Sequence, residues 1–224
     1  MGERIDTSEL DYDVHIEHLG LAASGTGAID VIRGLATALD RRCLIVSPDE
    51  RTVWAWLGGR HPLDLSELKR LISASWPRQV ALALGESASG LAGWRLTNLQ
   101  ARAALPIALR SPATTVHYAE VALLAAMLQD DLLATSLREL YLAPLEEDRD
   151  RGAVLRRTLR AYFAADGNVS SAAAALGVNR HTVTSRLRVI EDRLGRTLKA
   201  CATEMNTLLD LEDLDKVAGS GPAH

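Results

Sequence analysis

The sequence predicts an α+β N-terminal domain, a small mixed sheet with helices, followed by an all-α helix-turn-helix domain. Three observations predict it. Before residue 117, short apolar runs alternate with helical stretches across turn residues. After residue 150, Asn168, Gly177 and Asn179 punctuate a series of amphipathic helices. The charge also divides unevenly. Residues 151–200 hold ten Lys/Arg against three acids, a net +7, which leaves −11 for the rest of a chain at −4. A basic module on an acidic carrier is an electrostatic footprint for nucleic acid.

Residues 1–27 are polar, end in Ser24-Gly25-Thr26-Gly27, and read as an arm or linker. Residues 28–39 suit a helix. Cys43–Val46 and Thr52–Leu57 flank the turn Ser47-Pro48-Asp49-Glu50, a hairpin signal. The unbroken Val53-Trp54-Ala55-Trp56-Leu57 suggests a strand covered on both faces. Ser66 is placed to cap a helix reaching about Ser75. Gln79–Leu84 reads as a strand, Thr97 as the cap of a helix to about Arg110, and Thr114–Val116 as a last strand. That order suits a small sheet with helices on one face. Residues 118–128 and 130–142 read as connector helices, and Glu204–Val217 as an acidic helix before a disordered tail. The expected division is therefore 1–27 arm, 28–117 α+β domain, 118–148 connector, 149–200 helix-turn-helix, and 201–224 acidic helix and tail.

The stretch 153–198 carries the most specific pattern. A helix over about Ala153–Ala165 has Leu155, Leu159, Tyr162 and Phe163 on one face and leaves Arg156, Arg157 and Arg160 outside, where they could meet phosphates. Asn168 caps the next helix, whose Val169, Ala172, Ala173 and Leu176 share a face. The small Ala172 and Ala173 admit a close crossing. Gly177 supplies the positive φ that ends the helix. Asn179 caps the following one, with an apolar stripe of Val183, Leu187, Ile190 and Leu194. At 3.6 residues per turn, His181 and Ser185 lie nearly opposite that stripe, flanked by Thr184 and Arg188. Arg180 and Thr182 fall in the first turn and Arg186 on the flank, while the acids Glu191 and Asp192 come only later. In this motif the start of the second helix enters the major groove, where Arg can pair with guanine and short polar groups can meet base edges. The candidate DNA-binding residues are thus Asn179, Arg180, His181, Thr182, Thr184, Ser185, Arg186 and Arg188, with Arg156 and Arg157 on the backbone.

The segment Leu155–Leu198 resembles the C-terminal domain of PucR/CdaR-type bacterial transcription regulators. The resemblance rests on T-L-R-A-Y-F (158–163), Asn168, A-A-A-L-G-V (173–178), T-V (182–183), R-L-R (186–188), I-E (190–191) and L-G (194–195). The residues that depart from the family pattern, Asn179, Arg180, His181 and Ser185, lie on the base-facing side. Upstream, A-L-A-L-G-E-S-A-S-G-L-A-G-W (81–94) and L-T-N-L-Q-A-R-A-A-L (96–105) resemble the degenerate GGDEF-like domain of the same regulators. The resemblance implies a transcription regulator whose partner is double-stranded DNA, with a GGDEF-like part that senses or dimerises. Active GGDEF domains make cyclic di-GMP from GTP at a hairpin. Here Ser47 and Pro48 stand where that hairpin would have its nucleotide-admitting glycines, and Pro fixes φ and lacks an N–H. Asp49 and Glu50 are most simply an exposed turn, and no catalytic residue is assigned.

Other features stay weaker. Gly25 and Gly27 start no phosphate loop, and Gly85, Gly90 and Gly93 read as turns more than as an anion loop. Trp54, Trp56, Trp76 and Trp94 suit core packing better than a ligand pocket. No metal-ligand spacing or cofactor motif appears. There is no signal peptide and no apolar run that would span a bilayer. Cys43 and Cys201 are far apart and read as reduced thiols, which suits a cytoplasmic location. A homodimer is expected, because one helix-turn-helix reads only a few base pairs. Val121, Leu124, Leu128 and Leu132 keep helical spacing in the connector and serve either that dimer or docking within one chain. An unidentified small-molecule effector is the remaining expected partner.

Overall fold

The computed structural model describes residues 12–110, 115–146 and 149–219. Thr114 and the end of the tail, both assigned above, fall outside these residues. The chain folds as two compact units that divide between Ala125 and Ala126.

The first unit is built on strands β1 (Glu17–Ser24), β2 (Arg42–Val46), β3 (Thr52–Gly59), β4 (Ala81–Leu84), β5 (Ala88–Ser89) and β6 (Thr115–His117). They form one sheet in the order β2-β3-β1-β4-β6, with β5 also paired to β1. Only β4 and β6 run parallel; Leu21 of β1 faces Ala55 on one side and Leu84 on the other. Helices α1 (Ala28–Ala38), α2 (Leu65–Ser75) and α3 (Gly90–Ala108) complete the packing, and α4 (Tyr118–Met127) follows β6.

β1 corrects the arm predicted over residues 1–27, because it lies inside the sheet with Leu19 to Ala23 buried. Its residues are small for a physical reason. On one face Leu19, Leu21 and Ala23 join Val53, Ala55, Leu57, Leu82 and Leu84 under Ile32 and Leu35 of α1 and Leu68 and Ile72 of α2. On the other face α3 comes so close that a Cβ at Gly20 would stand 2.5 Å from the Thr97 carbonyl carbon. Between β4 and β5 the ladder opens. There the Gly20 N–H donates to Thr97 Oγ1 at 2.6 Å, and the Gly20 carbonyl accepts from Gly85 N–H at 2.9 Å, so no backbone group is stranded.

Thr97 is therefore a buried mid-helix acceptor and not the cap predicted for it; α3 begins seven residues earlier, at Gly90. Likewise α2 is capped by Asp64, which accepts from the Ser66 and Glu67 N–H groups, and not by Ser66. Because α3 covers the face opposite α1 and α2, the helices lie on both faces, where one had been predicted. That arrangement accounts for the apolar Val53–Leu57 run. The tryptophans pack. Trp56 stacks on Trp94 at 4.7 Å, the Trp76 Nε1–H donates to the Val80 carbonyl, and Arg102 lies over Trp54.

The second unit holds α5 (Asp131–Tyr141), α6 (Arg149–Ala164), α7 (Val169–Leu176), α8 (Arg180–Leu194) and α9 (Ala202–Gly219). Leu145, Leu155, Leu159, Ala172, Ala173, Val183, Ile190 and Leu198 are buried together with Met205, Leu208, Leu209 and Leu211 of α9. The residues of the connector stripe differ in burial and divide between the two units. Leu124 is buried, Val121 and Leu128 are half-buried, and Leu132 is 77% exposed. Among the described residues no helix is long and apolar enough to cross a membrane.

Candidate nucleic-acid interface

The local chemistry of the helix-turn-helix follows its sequence closely. Asn168 accepts from the Ser170 and Ser171 N–H groups at the start of α7. Gly177 ends α7 at φ 67°, in the left-handed region that favours glycine. Asn179 then caps α8, its Oδ1 accepting from both the N–H (2.8 Å) and the Oγ1–H (3.0 Å) of Thr182. Val183, Leu187 and Ile190 are buried, so the opposite side of α8 faces outward.

On that outward side Arg180, His181, Ser185 and Arg188 are exposed. None of these four makes a side-chain hydrogen bond or ion pair among the described residues. Thr182 and Thr184 are half-buried, and their hydroxyl protons are committed to Asn179 Oδ1 and the Arg180 carbonyl. They therefore face an incoming group as acceptors only. Arg186 is half-buried, and its Nη1–H donates to Thr158 Oγ1 at 3.3 Å. Thr158, fully buried on α6, donates in turn to the Val154 carbonyl at 2.8 Å. This chain of bonds orients the Arg186 guanidinium on the flank of α8. The sequence pattern missed Thr158, because its role depends on a contact 28 residues away.

The backbone-contact arginines differ from expectation. Arg157 is exposed and without an ion pair among the described residues. Arg156 and Arg160 are not left outside. Arg156 pairs with Glu146 at 2.8 Å and Glu212 at 3.9 Å; Arg160 pairs with Glu212 at 2.7 Å and Asp213 at 2.9 Å. These acids belong to α9 and to the segment before α6, and together they tie α9 down. Burial works against the Arg160 charge, but the bonds to Asp213 and Glu212 outweigh it and push its pKa up. The acidic helix was legible in sequence; the cations it answers were not. Two more basic residues are also occupied. Arg193 donates to the Leu145 carbonyl, and Arg196 donates to Tyr141 Oη while lying over its ring. Among the described residues of this segment, the open positive charge is therefore on Arg157, Arg180, Arg188 and Lys199.

In the first unit, Asp49 and Glu50 are exposed at the β2–β3 turn, beside Gly25, Gly27, Asp30 and Arg33 at the start of α1. Asp49 Oδ1 accepts from the Arg51 and Thr52 N–H groups at 2.8 and 2.7 Å, and these bonds hold its carboxyl below the usual carboxylate range. The carboxylate thus caps its own turn. Among the described residues no His, Cys, Asp and Glu side chains gather in a metal-holding group.

Comparison with known proteins gives two family matches. Residues 155–212 match the PucR C-terminal helix-turn-helix domain, and residues 6–107 match the GGDEF-like domain. A crystal structure of a regulator of polyketide synthase expression from Bifidobacterium adolescentis is similar at 17% identity and a TM-score of 0.43, over 94% of this chain and 83% of that one. No curated protein matches the sequence. The GGDEF-like match begins ahead of β1, in keeping with that strand's place in the sheet. The chain thus carries a GGDEF-like domain ahead of a PucR-type helix-turn-helix domain, which is consistent with a PucR-type regulator.

Proposed function

We propose that this regulator binds duplex DNA sequence-specifically through the outward face of α8, and that its GGDEF-like part is a sensory or dimerisation module without catalysis. The observation that supports DNA reading is the first half of α8. It is capped, it presents the side chains of Arg180, His181, Ser185 and Arg188 free of bonds among the described residues, and it carries no acid before Glu191. Arg180 reads a base edge; Asn179, Thr182, Thr184, Ser185, Arg186 and Arg188 line the groove wall; Arg157 meets phosphate. Arg156 acts through its acid partners rather than on DNA directly. The working division keeps 149–200 as the reading module, carried on α9. Two copies act on a repeated site, in the cytoplasm, under an unidentified small-molecule effector.

Selection of bound sequences from random duplex DNA tests the reading. Wild-type protein is expected to select one site, with affinity falling steeply as salt rises through counterion release. Arg180→Ala is expected to cost about 1–3 kcal/mol and to relax one position of that site, whereas Arg157→Ala weakens all sequences alike. Salt-insensitive binding would remove the proposal, and an unchanged site in Arg180→Ala would reverse the orientation of α8.

The non-catalytic assignment rests on Ser47 and Pro48 at the hairpin and on an Asp49 carboxylate engaged by its own turn. Incubation with GTP and Mg²⁺ is expected to yield no cyclic dinucleotide. Product that disappears in Glu50→Ala would overturn it.

A further inference from the structure

Among the described residues, the half-buried arginines of the second unit are Arg138, Arg156, Arg160, Arg186 and Arg193. Arg138 pairs with Asp215, Arg156 with Glu146, and Arg160 with Glu212 and Asp213. Arg193 lies in the last turn of α8, where the carbonyl end of the helix favours a cation. Arg186 has neither kind of support. Its one side-chain bond among the described residues is to a neutral hydroxyl, Thr158 Oγ1. No acid stands in α7, in residues 151–164 of α6, or in α8 before Glu191. A guanidinium drawn partly out of water without a counter-charge carries a desolvation cost that an anion would offset.

The bond to Thr158 fixes where that charge points and leaves it unneutralised. Thr158 is fully buried, and its only side-chain proton goes to the Val154 carbonyl at 2.8 Å. The hydroxyl therefore meets Arg186 as an acceptor, taking one guanidinium N–H at 3.3 Å and leaving the others open. A carboxylate at this place would orient the guanidinium and cancel its charge; a hydroxyl orients it alone. On α8, Arg186 is one residue on from Ser185, about 100° round the helix, on the flank and not on the outward face. A helix seated in the major groove turns its flank to the groove wall, which is built of phosphate.

We propose that Thr158 is a positioning residue for DNA binding: from α6 it holds the Arg186 guanidinium, still charged, in place for a backbone phosphate. This rests on the reading of α8 given above and names what prepares its flank. Arg186 then adds affinity without sequence preference. Thr158 adds to it by ordering a long side chain before DNA arrives.

The test compares Arg186→Ala, Thr158→Val, Thr158→Ser and the double variant Thr158→Val/Arg186→Ala in the full chain. Affinity for the duplex that wild type selects is measured by fluorescence anisotropy over a range of salt, and circular dichroism and melting establish that each variant is folded. Arg186→Ala is expected to weaken all sequences alike and to reduce the slope of log affinity against log salt by about 0.9, the share of one phosphate contact. Thr158→Val is expected to weaken binding about two- to tenfold with the slope unchanged, because the charge remains but is no longer held. Thr158→Ser keeps the acceptor and is expected to bind as wild type does. In the Arg186→Ala background, Thr158→Val is expected to have no further effect. A merely structural Thr158 would weaken binding equally in both backgrounds, and that result overturns the proposal. So does Arg186→Ala with wild-type affinity and slope, or Thr158→Val bound as tightly as wild type. Each of these leaves DNA reading by α8 standing, whereas wild type that selects no duplex overturns both. Should Thr158→Val melt below the assay temperature, Thr158→Ala completes the same cycle with the same expected outcomes.

Discussion

Truncation after Ala200 is expected to unfold the C-terminal unit. The sequence division ends the helix-turn-helix domain at residue 200, but the core beneath it does not end there, and the family match runs on to residue 212. α9 buries Met205, Leu208, Leu209, Leu211 and Leu214, with Cys201 buried just ahead of it. At about 1.5–3 kcal/mol for each large apolar side chain, losing them removes on the order of 10 kcal/mol. A domain's whole stability is about 5–15 kcal/mol. The truncation also leaves Arg156 and Arg160 without Glu212 and Asp213. Arg156 keeps only Glu146, so the ties that α6 makes to α9 are lost together with the apolar contacts. Proteolysis and near-ultraviolet circular dichroism of the truncated chain should show the loss of a cooperative unit and, with it, of DNA binding. A truncated chain that resists proteolysis and binds its site with wild-type affinity would show that α9 is dispensable.

The second large effect is expected at Gly20. A Cβ there would stand within 2.7 Å of three backbone atoms of Thr97 and Asn98. A Cβ has no rotamer by which to escape, so Gly20→Ala must push α3 off the sheet. Overpacking of this kind costs about 1–3 kcal/mol and more where backbone cannot move. The same shift lengthens the bond from Gly20 N–H to Thr97 Oγ1. Gly34 is the control. It lies within α1 with nothing near its missing Cβ. Gly34→Ala should therefore stabilise by about 0.5–1 kcal/mol through helix propensity. Urea midpoints measured side by side should move in opposite directions. A Gly20→Ala midpoint within error of wild type would mean that α3 yields without cost.

These two sites mark where the sequence was and was not legible. The helix-turn-helix was legible because its signals are local. Asn168 and Asn179 cap within three residues, Gly177 turns the chain at its own φ, and the Val183–Ile190 spacing needs only the helical period. β1 was not legible. Its Gly20 answers Thr97 of α3, which lies 77 residues later, and nothing near His18–Ser24 says so. Small residues there look like a linker until the helix that crowds them is known. The helix over the far face was predicted, but its start at Gly90 and the face it covers were misread for the same reason. Thr97 carries the polar signature of a cap and instead serves a distant N–H. The arginines of α6 were legible as cations, but their freedom was not, because Glu212 and Asp213 lie more than 50 residues on.

The outward face of α8 makes no demand on the fold that carries it. The side chains of Arg180, His181, Ser185 and Arg188 hold no bond among the described residues, while the caps, the buried stripe and the Thr158–Arg186 link stand on other positions. Substitutions at such exposed sites typically change stability by less than about 0.5 kcal/mol. Stability and specificity are thus written in separate sets of letters. If α8 reads DNA as proposed, a lineage can exchange the outward set and move to a new operator without passing through an unfolded intermediate, and the helix is then a scaffold for diversification.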